Sequence, residues 1–450
     1  MNANLLSAGC AVAALILLSG CDEKKAADPS TQYGTDPVLP APEQYILPPM
    51  RIALAKGWGT EQTPTVTGGL AIKAFATGFM HPRQVYALPN GDVLVVETNG
   101  PKAPIYRPKD FIEGKVKGLS GSAAPAGNRI ILLRDSTGSG VADQRSIFID
   151  HLNSPFGVAL VGNDLYVAAT DALLKFPYVP GQTHIDAPGE KVTDLPAGQI
   201  NHHWTKSLVA SPDGTKLYVG VGSNSNITEN GMAAEEGRAA IWEIDRATGL
   251  KRIYASGLRN AAGLAFEPTT GKLWAVVNER DEIGPDLVPD YLTSVREGAF
   301  YGWPYSYFGQ HIDIRVEPRR PDLVAKAIMP DYALSSHVAP LGMVFTQSST
   351  LPLKYRSGVF ISEHGSWDRS PLNGYKVVYV PFEDGLPSGP PQDVVTDFLT
   401  SDGKAKGRPV GVTLDHTGAM LIADDVGNKV WRVSAAKHTS DVAAAVLSNR

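Results

Sequence analysis

Cysteine is nearly absent from this 450-residue chain: it has 2, Cys10 and Cys21, both near the start. Once a leader ending there is removed no internal disulfide can form, and without a Cys-x-x-Cys-His a covalently attached c-type haem is excluded. Surplus positive charge is missing too. Lys and Arg total 41 against 46 Asp and Glu, a formal net charge of -5, which argues against nucleic acid as the main partner. No low-complexity bias dominates, and 43% hydrophobic residues supply a core, so collagen, coiled coil and wholesale disorder are excluded. What is plentiful is turn chemistry. The 45 Gly and 34 Pro are spread along the whole chain, which implies many tight turns and hence many short strands.

The first residues differ from the rest. Leu5 to Gly20 is almost purely apolar or small, and charge begins abruptly at Asp22-Glu23-Lys24-Lys25. At about sixteen residues this run is short for a membrane span and suits the apolar region of a signal peptide. Its end, Leu18-Ser19-Gly20-Cys21, resembles a bacterial lipobox, although no Lys or Arg precedes it. That reading makes residues 1–21 a lipoprotein signal with Cys21 lipidated, and places the chain on the periplasmic side of a bacterial membrane; a plain secretory signal or a short buried helix are the alternatives. Residues 22–65, rich in Pro, Asp, Gln and Thr, read as a tether and an extended arm that packs on the domain. A domain over 66–440 and a tail over 441–450 complete the expected organisation.

From His81 onward one unit recurs: an apolar strand, a turn with Gly or Asn, and a second apolar strand ending in small or polar residues. It appears at Arg83–Ala87 with Asp92–Glu97, Phe156–Leu160 with Asp164–Ala168, and Ser207–Ala210 with Lys216–Val221. It returns at Ala262–Phe266 with Lys272–Val277, Leu341–Phe345 with Gly358–Ser362, and Val410–Leu414 with Ala419–Ala423. Third strands follow several of these hairpins, as at Ala240–Ile244, Tyr375–Val380 and Lys429–Val433. Such a meander cannot bury both faces of its sheet alone, so the expected fold is an all-β, six-bladed β-propeller of four-stranded antiparallel blades. Leu70–Phe75 is the candidate outer strand closing the last blade, and long insertions are expected at 101–128 and 281–335.

In a propeller, function sits where inner-strand ends and their loops converge. The residues at those ends include Asn201-His202-His203-Trp204, Ser223-Asn224, Arg259-Asn260, Asn278-Glu279-Arg280-Asp281, Ser336-His337, Glu363-His364, Gly407-Arg408 and Asp424-Asp425. Taken with Tyr301-Gly302-Trp303-Pro304 and His337-Val338-Ala339-Pro340-Leu341-Gly342, this series resembles the glucose/sorbosone dehydrogenase family, closest to its sorbosone-dehydrogenase-like branch, over about Pro40 to Val433. Members are six-bladed propellers that bind pyrroloquinoline quinone (PQQ) and calcium, an oxidoreductase chemistry.

The resemblance implies roles for particular residues. His203 matches the catalytic histidine that takes a proton from the substrate hydroxyl, a task suited to imidazole. His202 stands where soluble glucose dehydrogenases carry an acidic partner, which leaves the orientation of the base open; His202 and His337 are taken as site-shaping. Arg259 and Asn260 match a cofactor-binding pair, and Asn224 a cofactor-binding amide, with an Asx turn as its bland alternative. Arg408 matches one of two family arginines while Val410 occupies the other place, and His364 replaces a lysine, with Arg369 or Lys206 as possible compensation. The backbone carbonyls of Asp281 and Glu282 are the expected calcium ligands, calcium taking six to eight oxygens. The implied activity is oxidation of an aldose or related sugar aldehyde with electrons passed to an external acceptor. A calcium-dependent propeller lactonase and a non-catalytic lipoprotein propeller that binds a partner are the competing readings. Tyr301–Pro304 and Trp367 are either sugar-stacking surfaces or simply packed aromatics.

Overall fold

The computed structural model describes residues 27–43, 51–102, 104–105 and 108–436. The leader with Cys21 and the tail at 441–450 lie outside the described residues.

The chain forms a six-bladed β-propeller. The blades run, from inner to outer strand, as Pro82–Ala87, Val93–Glu97, Arg129–Arg134 and Gln144–Ile149; then Gly157–Val161, Asp164–Ala168, Ala172–Pro177 and Glu190–Asp194; then Lys206–Ala210, Lys216–Val221, Ala240–Asp245 and Lys251–Ser256. The fourth comprises Ala261–Phe266, Leu273–Val277, Pro289–Ser294 and Tyr332–Ser336, and the fifth Pro340–Phe345, Gly358–Glu363, Lys376–Glu383 and Gln392–Thr396. The sixth takes Pro409–Leu414, Met420–Asp424 and Lys429–Ala435 from the C-terminal side and closes with Leu70–Thr77 from the N-terminal side, as the apolar run there suggested.

The second strand of each blade explains why the sequence repeat is legible. It is buried on both faces, so alternate residues serve two different cores. Val93 and Val95 pack towards the sixth blade, whereas Leu94 and Val96 pack towards the second. The same division holds around the ring, where apolar clusters fill the gaps between successive blades. A strand buried on both sides reads as a continuous apolar run.

One expectation needs correction. Residues 281–335 are not a single insertion, because Pro289–Ser294 and the start of Tyr332–Ser336 are the third and outer strands of the fourth blade. The insertion proper spans 295–331. The arm adds a short strand to two blades, among other contacts: Tyr33–Gly34 pairs with Ala333–Leu334 outside the fourth blade, and Thr65–Val66 pairs with Val395–Thr396 outside the fifth.

Candidate functional site

The residues preceding the inner strands and following the second strands share one face of the ring, where side chains reach between blades. Just before the third inner strand, His203 directs Nδ1 at the Ser223 carbonyl 3.0 Å away and at Ser223 Oγ 2.9 Å away. A carbonyl only accepts, and Ser223 Oγ donates its own proton to the Ser225 carbonyl at 2.6 Å, so Nδ1 carries the hydrogen and Nε2 the lone pair. Nε2 takes no hydrogen bond from the described residues. Burial holds the imidazole well below its ordinary pKa, and the nearby Arg259 and His202 add to this. The ring is therefore neutral near pH 7. His202 packs edge-on against it at 4.8 Å between centroids, so orientation of His203 comes from Ser223 on the adjacent strand end. Gly222 permits this arrangement, because a Cβ there would collide with both Asn260 Oδ1 and His203 Cβ.

Between the third and fifth blades lies a carboxylate-rich region. Buried Arg259 ties its guanidinium to Asn226 Oδ1 at 3.0 Å, to Asp281 Oδ2 at 3.1 Å and to the Glu279 carbonyl. Burial would raise the Asp281 carboxyl, but Arg259 and His337 hold it down at about 2. His337 donates Nε2–H to the Gly284 carbonyl at 3.1 Å, while Nδ1 faces Asp368 Oδ1 at 3.2 Å and Asp281 Oδ1 at 3.4 Å. Both nitrogens thus meet acceptors. Burial disfavours a charge on His337, yet the Asp368 and Asp281 carboxylates outweigh it and push the pKa up to about 9. Beneath them, burial raises Glu279 and Asp290 to about 7.

The region from the fifth through the sixth to the first blade is cation-rich instead. Asp425 is fully buried and accepts from Arg408 Nε at 3.0 Å, Arg83 Nη1 at 2.6 Å and His364 Nε2 at 2.9 Å. Two guanidiniums therefore share one carboxylate. Arg408 also reaches Ser122 Oγ at 3.0 Å, and Arg83 Nε has no protein acceptor among the described residues. Burial drives His364 down to about 3 and His81 to about 4, so both are neutral, and the guanidiniums of Arg83 and Arg408 are the cations on Asp425.

Several expected site residues are placed differently. Asn224 gives its amide to the Ile200 carbonyl and accepts from Asn230 Nδ2 at 2.7 Å, so its side chain ties its own loop to the one before the third inner strand; Asn226, two residues along, makes the contacts to Arg259 and Asp281. The carbonyl of Asp281 accepts from Arg280 Nη2 at 2.7 Å, Arg280 Nε at 3.1 Å and Asn226 Nδ2 at 3.1 Å, so three donors already converge on that atom. Glu282 follows with a left-handed backbone, φ 72°. Lys206 is buried and donates to the Trp204 carbonyl at 3.1 Å, while Arg369 is committed to the arm and to Pro285 and Asp286. The cation missing at Val410, an apolar position fully buried in the inner wall, is matched by Arg83 from the neighbouring blade. Tyr301 and Trp303 are interior: Tyr301 donates to the Ser294 carbonyl at 2.6 Å and Trp303 Nε1 to the Asn226 carbonyl at 2.9 Å. Trp367, beside Asp368, is 37% exposed.

Six blades whose shared face carries a neutral imidazole on one side and an arginine-rich region on the other form a β-propeller of the kind found in the dehydrogenases below. The family model described as TrAA12-like matches residues 124–289 and 322–436, more than half of the chain, and the chain belongs to this family. An uncharacterized protein of Borreliella burgdorferi is 28% identical over 292 residues, covering 63% of this chain and 76% of that protein. The pyrroloquinoline quinone-dependent pyranose dehydrogenase of Coprinopsis cinerea is 23% identical over 427 residues, covering 81% of this chain but only 54% of its own length. Among solved structures, the calcium structure of Trichoderma reesei Carbohydrate-Active Enzymes Family AA12 superposes with a TM-score of 0.67 at 19% identity, over 87% of this chain and 100% of that one.

Proposed function

We propose that this protein is a PQQ-dependent sugar dehydrogenase, an oxidoreductase that oxidises an aldose or related sugar aldehyde of the glucose or sorbosone type and passes electrons to an external acceptor. The observation that carries the reading is the division of one face between a neutral imidazole with an unclaimed Nε2 and two guanidiniums that share a single carboxylate. PQQ has several carboxylates, and guanidinium forks are their best partners. Arg408 and Arg83 would hold them, Arg83 Nε being a buried donor without a protein acceptor among the described residues, and His364, its Nε2 on Asp425, stands beside them.

When bound, PQQ supplies the two-electron acceptor for the hydride that leaves the substrate carbon. His203 takes the hydroxyl proton at Nε2 while Ser223 keeps Nδ1–H and so fixes the ring plane. Burial, Arg259 and His202 keep the imidazole unprotonated beforehand. Asn260, packed across Gly222 from His203, shapes the space beside the base. Calcium belongs to the same proposal through side chains rather than the Asp281 carbonyl. The carboxylates of Asp281 and Asp368 offer hard oxygens, and Asp368 Oδ1 is buried with only the His337 ring nitrogen, 3.2 Å away, facing it. There a divalent cation would polarise a bound oxygen.

Anchoring through Cys21 on the periplasmic side completes the reading. Ala27 donates to the Asp286 carboxylate at 2.9 Å at the rim of this face, so an anchor six residues earlier would keep the face within about 20 Å of a membrane. Purified protein with PQQ, calcium, an aldose panel and a reducible dye is the test. PQQ-dependent dye reduction is expected; lactone hydrolysis without PQQ, or no reduction with any sugar, would overturn the proposal. Cys21→Ala should move the protein from the membrane to the soluble fraction, and continued membrane association would contradict the anchor.

A further inference from the structure

The segment leading to His337 adopts unusual backbone: Ser335, His337 and Ala339 have φ of 75°, 61° and 50°. Left-handed conformations cost free energy for residues with a side chain, and they persist only where surrounding contacts enforce them. Asn373 supplies one such contact, donating Nδ2 to the Ser336 carbonyl at 3.0 Å, and Asp290 another, accepting from the Ala339 amide at 2.7 Å. The third comes from the arm. Gln32 is 1% exposed, and its Oε1 accepts from the Ser336 amide at 3.3 Å, from Ser335 Oγ at 3.3 Å and from Arg369 Nη1 at 3.4 Å. Its Nε2 donates to the Asp286 carbonyl.

The same short stretch of arm holds the loop before the fourth blade's third strand. The Glu43 amide donates to the Ile283 carbonyl at 2.9 Å, and the Ala27 amide to the Asp286 carboxylate. Arg369, itself capped by the Ala27 carbonyl at 2.7 Å, donates to the Pro285 carbonyl at 3.2 Å. The intervening Gly284 carbonyl accepts from His337. One amide side chain thus joins the two segments whose meeting point is His337.

We propose that Gln32 is a positioning residue of the site: through Ser336 and Asp286 it sets the backbone of 283–286 and 335–337, and with it His337 and the carboxylates His337 faces. The inference rests on the dehydrogenase reading for its effect on PQQ, but not for its effect on the backbone. The experiment compares Gln32→Ala with Thr65→Ala, which removes an arm contact to Asp397 on the fifth blade's edge, far along the arm from Gln32. Amide hydrogen exchange and PQQ titration are read in both. Gln32→Ala should speed exchange in 283–287 and 335–339 by about tenfold and weaken PQQ binding by a similar factor, the effect of one lost buried hydrogen bond. Thr65→Ala should change neither. Gln32→Glu keeps an acceptor for the Ser336 amide and should restore the exchange of 335–339, which serves as the readout should the alanine variant fold poorly. Unchanged exchange in both segments, or equal changes across all blades, would overturn the assignment. Faster local exchange in a protein whose wild type binds no PQQ would sustain the positioning role and contradict the dehydrogenase reading.

Discussion

Around Asp281, carboxylates outnumber cations, whereas around Asp425 two guanidiniums share one carboxylate, and the histidines of the two regions respond in opposite directions. His337 is pushed up to about 9, while His81 and His364 fall to about 4 and 3. Burial acts on all three alike, so neighbouring charge decides the outcome. Around Asp281 one of the two cations beside the carboxylate, His337, can give up its proton, whereas Arg259 cannot. Around Asp425 the charged partners are both arginines, which stay cationic and are suited to carboxylates. His203 stands beside the first region and belongs to neither charge network, since its polar partner is the uncharged Ser223.

The largest effect that bears on this division should come from the base. His203→Gln preserves size but accepts no proton, so turnover should fall by about two to four orders of magnitude with PQQ binding little changed. His202→Asn should cost less; the reverse ranking in steady-state kinetics would move the base to His202. Next comes Arg259→Ala. The arginine is walled in by protein acceptors, and its loss leaves buried Asp281 with His337 as its one remaining cation, so unfolding free energy should drop by about 2–4 kcal/mol in denaturant titration. A stable variant with weakened PQQ binding alone would place Arg259 with the ligand-binding arginines instead.

Acid and alkali should separate the two regions. Below the ordinary histidine value of 6.5 the unfolded chain takes up protons that native His81 and His364 refuse until about 4 and 3, so stability falls as pH drops through that window. Native His337 keeps its proton up to about 9, so its contribution is full below 6.5 and is lost as pH rises towards 9. Melting temperatures of chelator-treated protein at pH 5, 7 and 9 should show His364→Gln flattening the acid side and His337→Gln the alkaline side. The smallest effect is expected at Asn224. Its side chain is engaged by Ile200 and Asn230, so Asn224→Ala should leave PQQ affinity within about twofold. A larger loss in a PQQ titration would return Asn224 to the cofactor.

Much of the ring was legible in sequence because second strands such as Val93–Glu97 and Leu273–Val277 are buried on both sides and read as unbroken apolar runs. Pro289–Ser294 escaped notice. It is buried throughout, but it opens with Pro and carries Asp290, Thr293 and Ser294 among its apolar residues, so it resembles insertion rather than strand. In the site, the motif-borne residues His203, Arg259, Asn260 and Arg408 do converge on one face. Their partners Arg83, Asp368, Asn226 and Gln32 were not singled out, since each acts across blades or from the arm, at separations that no local spacing encodes. A usable signal existed for Arg83: it opens the first blade's inner strand two residues after His81, the place that Val410 holds in the sixth.

Equilibrium PQQ titration of the wild type and of Arg408→Ala tests the division of the face most directly. The account predicts saturable binding by the wild type and a loss of about 1–3 kcal/mol in the variant, one charge-assisted carboxylate contact, with the fold retained. Identical titration curves for the two proteins, or no binding by either, would contradict it.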